Sequence, residues 1–202
     1  MEVCWYFYRF DYSRYLTLRP VLRAAAVPAS LAAIAQNPET EAAVEALMEG
    51  DITIKEARET FVRALCCLGD PLVFDKGFPR VLAALRQYPG GEEAAEMLGS
   101  MVAGGKNMEP WFYPAPGLVG FLTPEETAAL QQIYAPFADQ EEVVIGRRRK
   151  RRRQPEGLLG ACRDFTRLLL DRSPEPEEMA YLLGDLIDQA VKRQEGIAVA
   201  AG

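Results

Sequence analysis

The chain of 202 residues contains no histidine. Histidine is the only side chain whose unperturbed pKa falls between pH 5 and 8, and it is the commonest metal ligand. Its absence excludes Ser-His-Asp and Cys-His hydrolases in their usual form. His-bearing zinc sites, HExxH peptidases and two-His-one-carboxylate iron centres are excluded with them. Any catalysis would fall to carboxylates, Cys, Lys, Tyr or a bound group, and no motif calls for a cofactor or a metal. Cysteine is scarce as well. Cys4, Cys66, Cys67 and Cys162 include no CxxC pair, so neither a four-cysteine zinc site nor a disulfide scaffold is expected. The thiols fit a reducing cytoplasm. Cys66 and Cys67 are neighbours in a helical pattern, about 100° apart on the helix, and read as buried free thiols rather than a redox pair.

Long apolar runs are also missing. The Ala-rich stretch Ala24–Gln36 is interrupted by Pro28 and falls short of the ~20 apolar residues that span a bilayer, so no membrane segment is expected. The first residues are aromatic rather than a basic segment followed by an apolar one, so no leader is expected either. Hydrophobic residues make up 49% of the chain and charged ones 26%, which is enough apolar surface to form a core and excludes disorder of the whole chain. The wealth of Arg and Ala resembles the usage of a GC-rich bacterial genome.

Local patterns place the elements. Residues 3–10 carry Trp5, Tyr6, Phe7, Tyr8 and Phe10 and predict a strand with both faces covered. Asp11 caps a helix through Leu18 and Leu22, with Pro20 inside it. Pro38 opens the next helix and Gly50 closes it. Asp51 is the expected cap of a strong helix whose stripe is Ile54, Ala57, Phe61, Ala64, Leu65 and Leu68. The pairs Lys55–Glu59 and Glu59–Arg63 are assigned to its solvent face. Asp70-Pro71 reads as a chain break. Helices follow from Pro79 and from Glu92, the latter ending at Gly104-Gly105. Within the distinct stretch 107–122, Trp111–Gly117 cannot be helical; it predicts a rigid aromatic loop, with a short strand at Leu118–Leu122. Thr123-Pro124-Glu125-Glu126 is a helix start with a capping box, and the helix is expected to end near Tyr134, before Pro136. Two more helices are expected, one through Leu158–Leu169 and one starting at Ser173-Pro174-Glu175. A closing strand follows at Ile197–Ala200.

Three features bear on function. The first is Arg147, Arg148, Arg149, Lys150, Arg151, Arg152 and Arg153, seven consecutive cations. They leave 16 basic against 29 acidic residues elsewhere, a net of −13. Such a run reads as a solvated loop, as contact with an acidic face of this chain or of a partner, or as a polyanion-binding segment. Nucleic acid is the least favoured, because the remaining surface would repel it. The second is the segment Trp111 to Phe121, where Trp111 and Tyr113 either line a ligand site or fill the core. The third is a set of carboxylates: Asp185 and Asp188, Glu92, Glu93 and Glu96, and Glu175, Glu177 and Glu178. Acids at helix starts have a dipole explanation, and Asp188–Lys192 reads as a plain i,i+4 pair.

The sequence therefore predicts a mainly α, single-domain multi-helix bundle over residues 1–202. A small sheet would join its N- and C-terminal strands, and an exposed charged loop would span 138–156. Two lobes, 1–137 and 157–202, are the alternative. The expected role is that of a non-enzymatic interaction protein that binds a macromolecule, itself or another protein, through its acidic helical surface or basic loop. The alternative is a small-molecule binder or carboxylate-dependent enzyme with a site near residues 111–121.

Overall fold

The computed structural model describes residues 4–24, 28–74, 78–109, 117–149 and 176–202, with the backbone alone for 138–149 and 176–178. Among these residues the chain runs β1 (Trp5–Phe10), α1 (Tyr12–Ala24), α2 (Pro28–Ala32), α3 (Pro38–Glu49), α4 (Ile54–Cys66), β2 (Cys67–Phe74), α5 (Phe78–Gln87), α6 (Glu92–Val102), β3 (Leu118–Leu122), α7 (Pro124–Arg149), α8 (Pro176–Lys192) and β4 (Gly196–Ala201). The protein is mainly helical, and no described helix is long and apolar enough to cross a membrane.

The four strands form one antiparallel sheet in the order β2-β1-β4-β3. The predicted pairing of the terminal strands is present, from Trp5 opposite Ala201 to Phe10 opposite Gly196. It forms the middle of a larger sheet, however, rather than a sheet of its own. Alternation along β1 explains why aromatics occupy both of its faces. Phe7, with Phe74, Leu122, Ile197 and Val199, packs under α5, α6, α7 and α8. Phe10, with Leu118, Phe121 and Ala198, packs under α1, α2, α3 and α4. The result is a three-layer arrangement with helices on both sheet faces, not a bundle of helices around a common axis.

The strand that sequence reading missed is β2. Its segment Gly69-Asp70-Pro71 lies in the irregularity between the pairs Phe7–Leu72 and Arg9–Leu68. Pro71 therefore interrupts no regular ladder, and β2 is an edge strand, where proline and charge are tolerated. Helix α4 passes into β2 without a loop. The Cys67 N–H still donates to Arg63 while its own ψ of 128° is already that of a strand. The pair Cys66-Cys67 thus straddles a helix end instead of lying within a helix. The cap of α4 is Thr53, not Asp51: the Thr53 N–H donates to Glu56 Oε2 at 2.6 Å and the Glu56 N–H to Thr53 Oγ1 at 3.3 Å.

At the other edge β3 carries a bulge. Leu118 is opposite Ala200 and Gly120 is opposite Val199, so Val119 is extra. The bulge turns Leu118 and Phe121, three residues apart, to the same helical layer. A Cβ on Gly120 would lie 2.8 Å from the Met101 carbonyl oxygen, so only glycine lets α6 approach here. The outer edge of β3 is covered by the turn after α6. Gly105 N–H donates to Val119 O at 2.8 Å, and Phe121 N–H donates to Lys106 O at 3.1 Å. Lys106 and Asn107 also bind Glu126, at 2.6 Å each, in the predicted Thr123–Glu126 capping box.

Helix α7 does not stop before Pro136; it continues to Arg149, about 39 Å at 1.5 Å per residue. Buried Tyr134 and Phe137 flank the proline and hold the helix against its neighbours. Tyr134 OH donates to the Ala180 carbonyl of α8 at 2.8 Å. The loop expected over 138–156 is therefore helical as far as Arg149, and residues 150–156 lie outside the described residues. The helix expected through Leu158–Leu169 also lies outside them.

The Tyr15 hydroxyl stands out among the buried polar groups. Tyr15 is 2% exposed, and its ring packs on Phe10 and Phe121 with centroids 5.6 and 5.1 Å apart. Its hydroxyl has no hydrogen-bond partner among the described residues. A buried unmade hydrogen bond costs about 1–3 kcal/mol. Tyr15→Phe is therefore expected to match or exceed the wild type in guanidinium unfolding. Phe121→Ala, which empties the same site, should lose about 3–5 kcal/mol. A Tyr15→Phe variant destabilised as much as Phe121→Ala would show that the hydroxyl is satisfied.

Candidate functional site

Only some of the residues that the sequence singled out fall among the described residues. Arg147, Arg148 and Arg149 form the last turn of α7, the helix end whose dipole favours cations. Lys150, Arg151, Arg152 and Arg153 lie outside the described residues, as do Trp111 and Tyr113. Of the carboxylates, Glu175 and the side chains of Glu177 and Glu178 lie outside the described residues. Asp188 accepts from Gln131 Nε2 at 2.8 Å rather than pairing with Lys192, and Asp185 accepts from Gln189 Nε2 at 2.8 Å. Among the described residues no group of three or more Cys, Asp or Glu side chains is placed to hold a metal ion.

The site that does emerge is on α4. Glu59, assigned by its spacing to the solvent face, is 3% exposed. Its Oε1 accepts the Leu118 N–H at 2.9 Å, at the start of β3. Gly117, with φ of +107°, brings the backbone so close that a Cβ there would lie 2.6 Å from the same oxygen. The Gly117 carbonyl in turn accepts from Ala201 N at 2.6 Å. Glu59 thus ties α4 to the place where the chain returns from the aromatic segment into the sheet.

Glu56 and Arg63 of α4, Glu39 of α3 and Cys67 of β2 lie within electrostatic reach of Glu59. Arg63, one turn further along α4, pairs with Glu39 of α3 at 2.9 Å, and this pair is partly open to solvent. Tyr8 of β1 and Cys67 of β2 are within electrostatic reach of both. Burial raises the Glu59 carboxyl above its ordinary range, against the opposing effect of the Leu118 N–H and the Arg63 charge. Burial likewise raises the Tyr8 hydroxyl and the Cys67 thiol, and pushes Cys66 up to about 12. Both thiols therefore hold their protons at neutral pH and are not thiolate nucleophiles.

A second polar feature sits where the aromatic segment begins. Arg19 of α1 pairs with Glu109, close to the unpartnered Tyr15 hydroxyl. Polar anchors therefore stand at both ends of the segment 110–116. The sequence gave no sign of the one at Glu59. Its i,i+4 charges look solvated, and only the fold reveals that α4 is buried on most of its circumference, with Arg58 and Glu59 among its buried residues.

A carboxyl with a raised folded pKa binds more protons folded than unfolded, so its contribution to stability falls as pH rises from the ordinary glutamate range towards the raised value. The Glu59→Gln variant keeps an oxygen for Leu118 and removes this dependence. The stability of the wild type relative to Glu59→Gln is expected to decline over that interval, as read by urea unfolding at a series of pH values. A constant difference would mean that Glu59 titrates normally. Glu59→Ala, which strands the Leu118 N–H, should lose about 1–3 kcal/mol at any pH in the series. Comparison of the chain with protein-family models, curated proteins and solved structures finds no match.

Proposed function

We propose that this is a non-enzymatic interaction protein that binds a macromolecular partner through complementary charge, with the acidic face of α3 as one surface. The supporting observation is on that helix. Glu41, Glu45 and Glu49 are exposed at i, i+4 and i+8, and among the described residues none of them has a salt-bridge partner. Like charges at this spacing destabilise a helix by about 0.2–0.5 kcal/mol per pair. No basic residue occupies the last turn, where Glu49 also opposes the helix dipole. Met48 lies among these acids and is 71% exposed. Repulsion left uncompensated around an exposed apolar side chain suits a partner that is both cationic and apolar.

The run Arg147–Arg153 of a second copy has the matching charge. Helix α3 and the start of α7 lie on opposite faces of the sheet, which favours pairing between copies over pairing within one chain. The reading keeps the expectation of a cytoplasmic location. A small-molecule binder or carboxylate-dependent enzyme remains the second reading, supported by Glu59 at the end of the aromatic segment.

Size-exclusion chromatography with light scattering tests the proposal on three proteins: the wild type, a variant with Arg147–Arg153 replaced by Gly and Ser, and Glu41→Gln/Glu45→Gln/Glu49→Gln. At low salt the wild type is expected to gain mass with concentration, while both variants stay monomeric; high salt should make all three alike. Equal monomer masses for all three at low salt would overturn pairing between copies. Absorbance at 260 nm that co-elutes with the wild type and is lost in high salt would favour nucleic acid as the partner instead.

A further inference from the structure

Among the described residues three large apolar side chains are exposed, and they lie on two helices: Leu16 and Val21 of α1, at 44% and 40%, and Met48 of α3, at 71%. The two helices are opposite in charge. Between Tyr12 and Ala24, α1 carries Arg14, Arg19 and Arg23 and no acid. Between Pro38 and Glu49, α3 carries Glu39, Glu41, Glu45 and Glu49 and no base. The buried stripe of α1 is Tyr15, Leu18 and Leu22. At about 100° per residue its far side is Ser13, Leu16, Thr17, Pro20, Val21 and Ala24, all exposed and none charged. Arg14 borders this strip on one side, Arg19 and Arg23 on the other. Arg14 donates to Gln36 and Arg19 pairs with Glu109, while Arg23 has no ion-pair partner among the described residues.

We propose that the uncharged strip of α1 docks on the acidic face of α3 in a second copy of the chain, and α3 on α1 in return, in a two-fold dimer. This rests on the reading that α3 pairs between copies, and it adds which surface meets Met48. The run Arg147–Arg153 supplies charge alone, whereas α1 supplies charge together with apolar area. Leu16 and Val21 cover Met48 in this arrangement, while Arg14 and Arg23 approach Glu41, Glu45 and Glu49 and relieve their mutual repulsion. Within one chain the two faces leave each other unmatched. Both helices pack on α4, no salt bridge joins them among the described residues, and both faces stay open to solvent. They belong to one helical layer, so a two-fold axis beside α4 presents each to the other and closes the assembly at two chains.

Charge reversal in the full chain tests this. Arg14→Glu/Arg23→Glu makes α1 acidic like α3, and Glu41→Lys/Glu45→Lys/Glu49→Lys makes α3 basic like α1. By light scattering at low salt, each variant alone is expected to keep the mass of one chain at concentrations where the wild type reaches that of two. An equimolar mixture of the two variants should regain the mass of two chains, because both contacts then join opposite charges. Dimerisation of Arg14→Glu/Arg23→Glu equal to the wild type, or a mixture that stays monomeric, would overturn the docking. If only the α3 variant loses dimerisation, pairing through α3 stands and the α1 contact falls; a wild type that is monomeric throughout removes both. Should a variant fail to fold by circular dichroism, the methyl resonances of the wild type decide. Those of Leu16, Val21 and Met48 must all shift with protein concentration, and a shift at Met48 alone assigns α3 to a different surface.

Discussion

The pairing of β1 with β4 is the contact on which the rest of the architecture depends. These strands have partners on both sides, and their side chains face a helical layer above and below. Six consecutive cross-strand pairs hold them together, from Trp5–Ala201 to Phe10–Gly196. Burial of apolar area contributes about 25 cal/mol per Å², and both cores use this one ribbon as their floor. Phe7 anchors the first core through its rings with Phe74 and Phe78, at 5.2 and 5.1 Å. Phe10 anchors the second through Phe121, stacked at 4.7 Å. Separating the two strands would open both cores together, which makes the sheet and its two layers a single cooperative unit.

The layers differ in how they treat polar groups. In the α5–α8 layer the buried Tyr134 hydroxyl donates to a carbonyl, and the neighbouring Gln131 and Asp188 side chains bond to each other. In the α1–α4 layer, among the described residues, the Tyr15 hydroxyl has no hydrogen-bond partner and the Glu59 carboxyl accepts from Leu118 N–H. An unmet buried polar group is costly, so it marks either a place held by the surrounding packing or a place that meets something else. Both groups lie where the chain enters or leaves the aromatic segment, which concentrates the chemistry of the molecule on one of its two faces.

Sequence reading succeeded where the cause is local. The Thr123–Glu126 box, the Asp11 cap and the aromatic alternation of β1 are each set by residues within one turn or one strand, and each was legible. It failed where a distant partner decides the outcome. Asp70-Pro71 resembles a break until β1 is seen to pair on either side of it. Pro136 resembles a helix end until Tyr134 and Phe137 are seen to be anchored in the core. Glu59 resembles a solvated charge until Leu118, 59 residues away in the chain, donates to it. Of the expected site, only the helical course of Arg147–Arg149 falls within the described residues, and its cations were legible from charge alone.

The place of β4 in the sheet sets the timing of folding. This strand follows every other described element along the chain, yet it lies between β1 and β3. As the chain emerges from the ribosome, α1 to α4 can assemble on a β1–β2 hairpin, but β3 has no strand to join until residues 196–201 appear. Residues 5–195 are therefore synthesised with the inner edge of β1 unpaired. An unpaired edge of aromatic residues is a template for strand addition from another chain. Loss of residues 196–201 would remove the centre of the sheet rather than trim its margin.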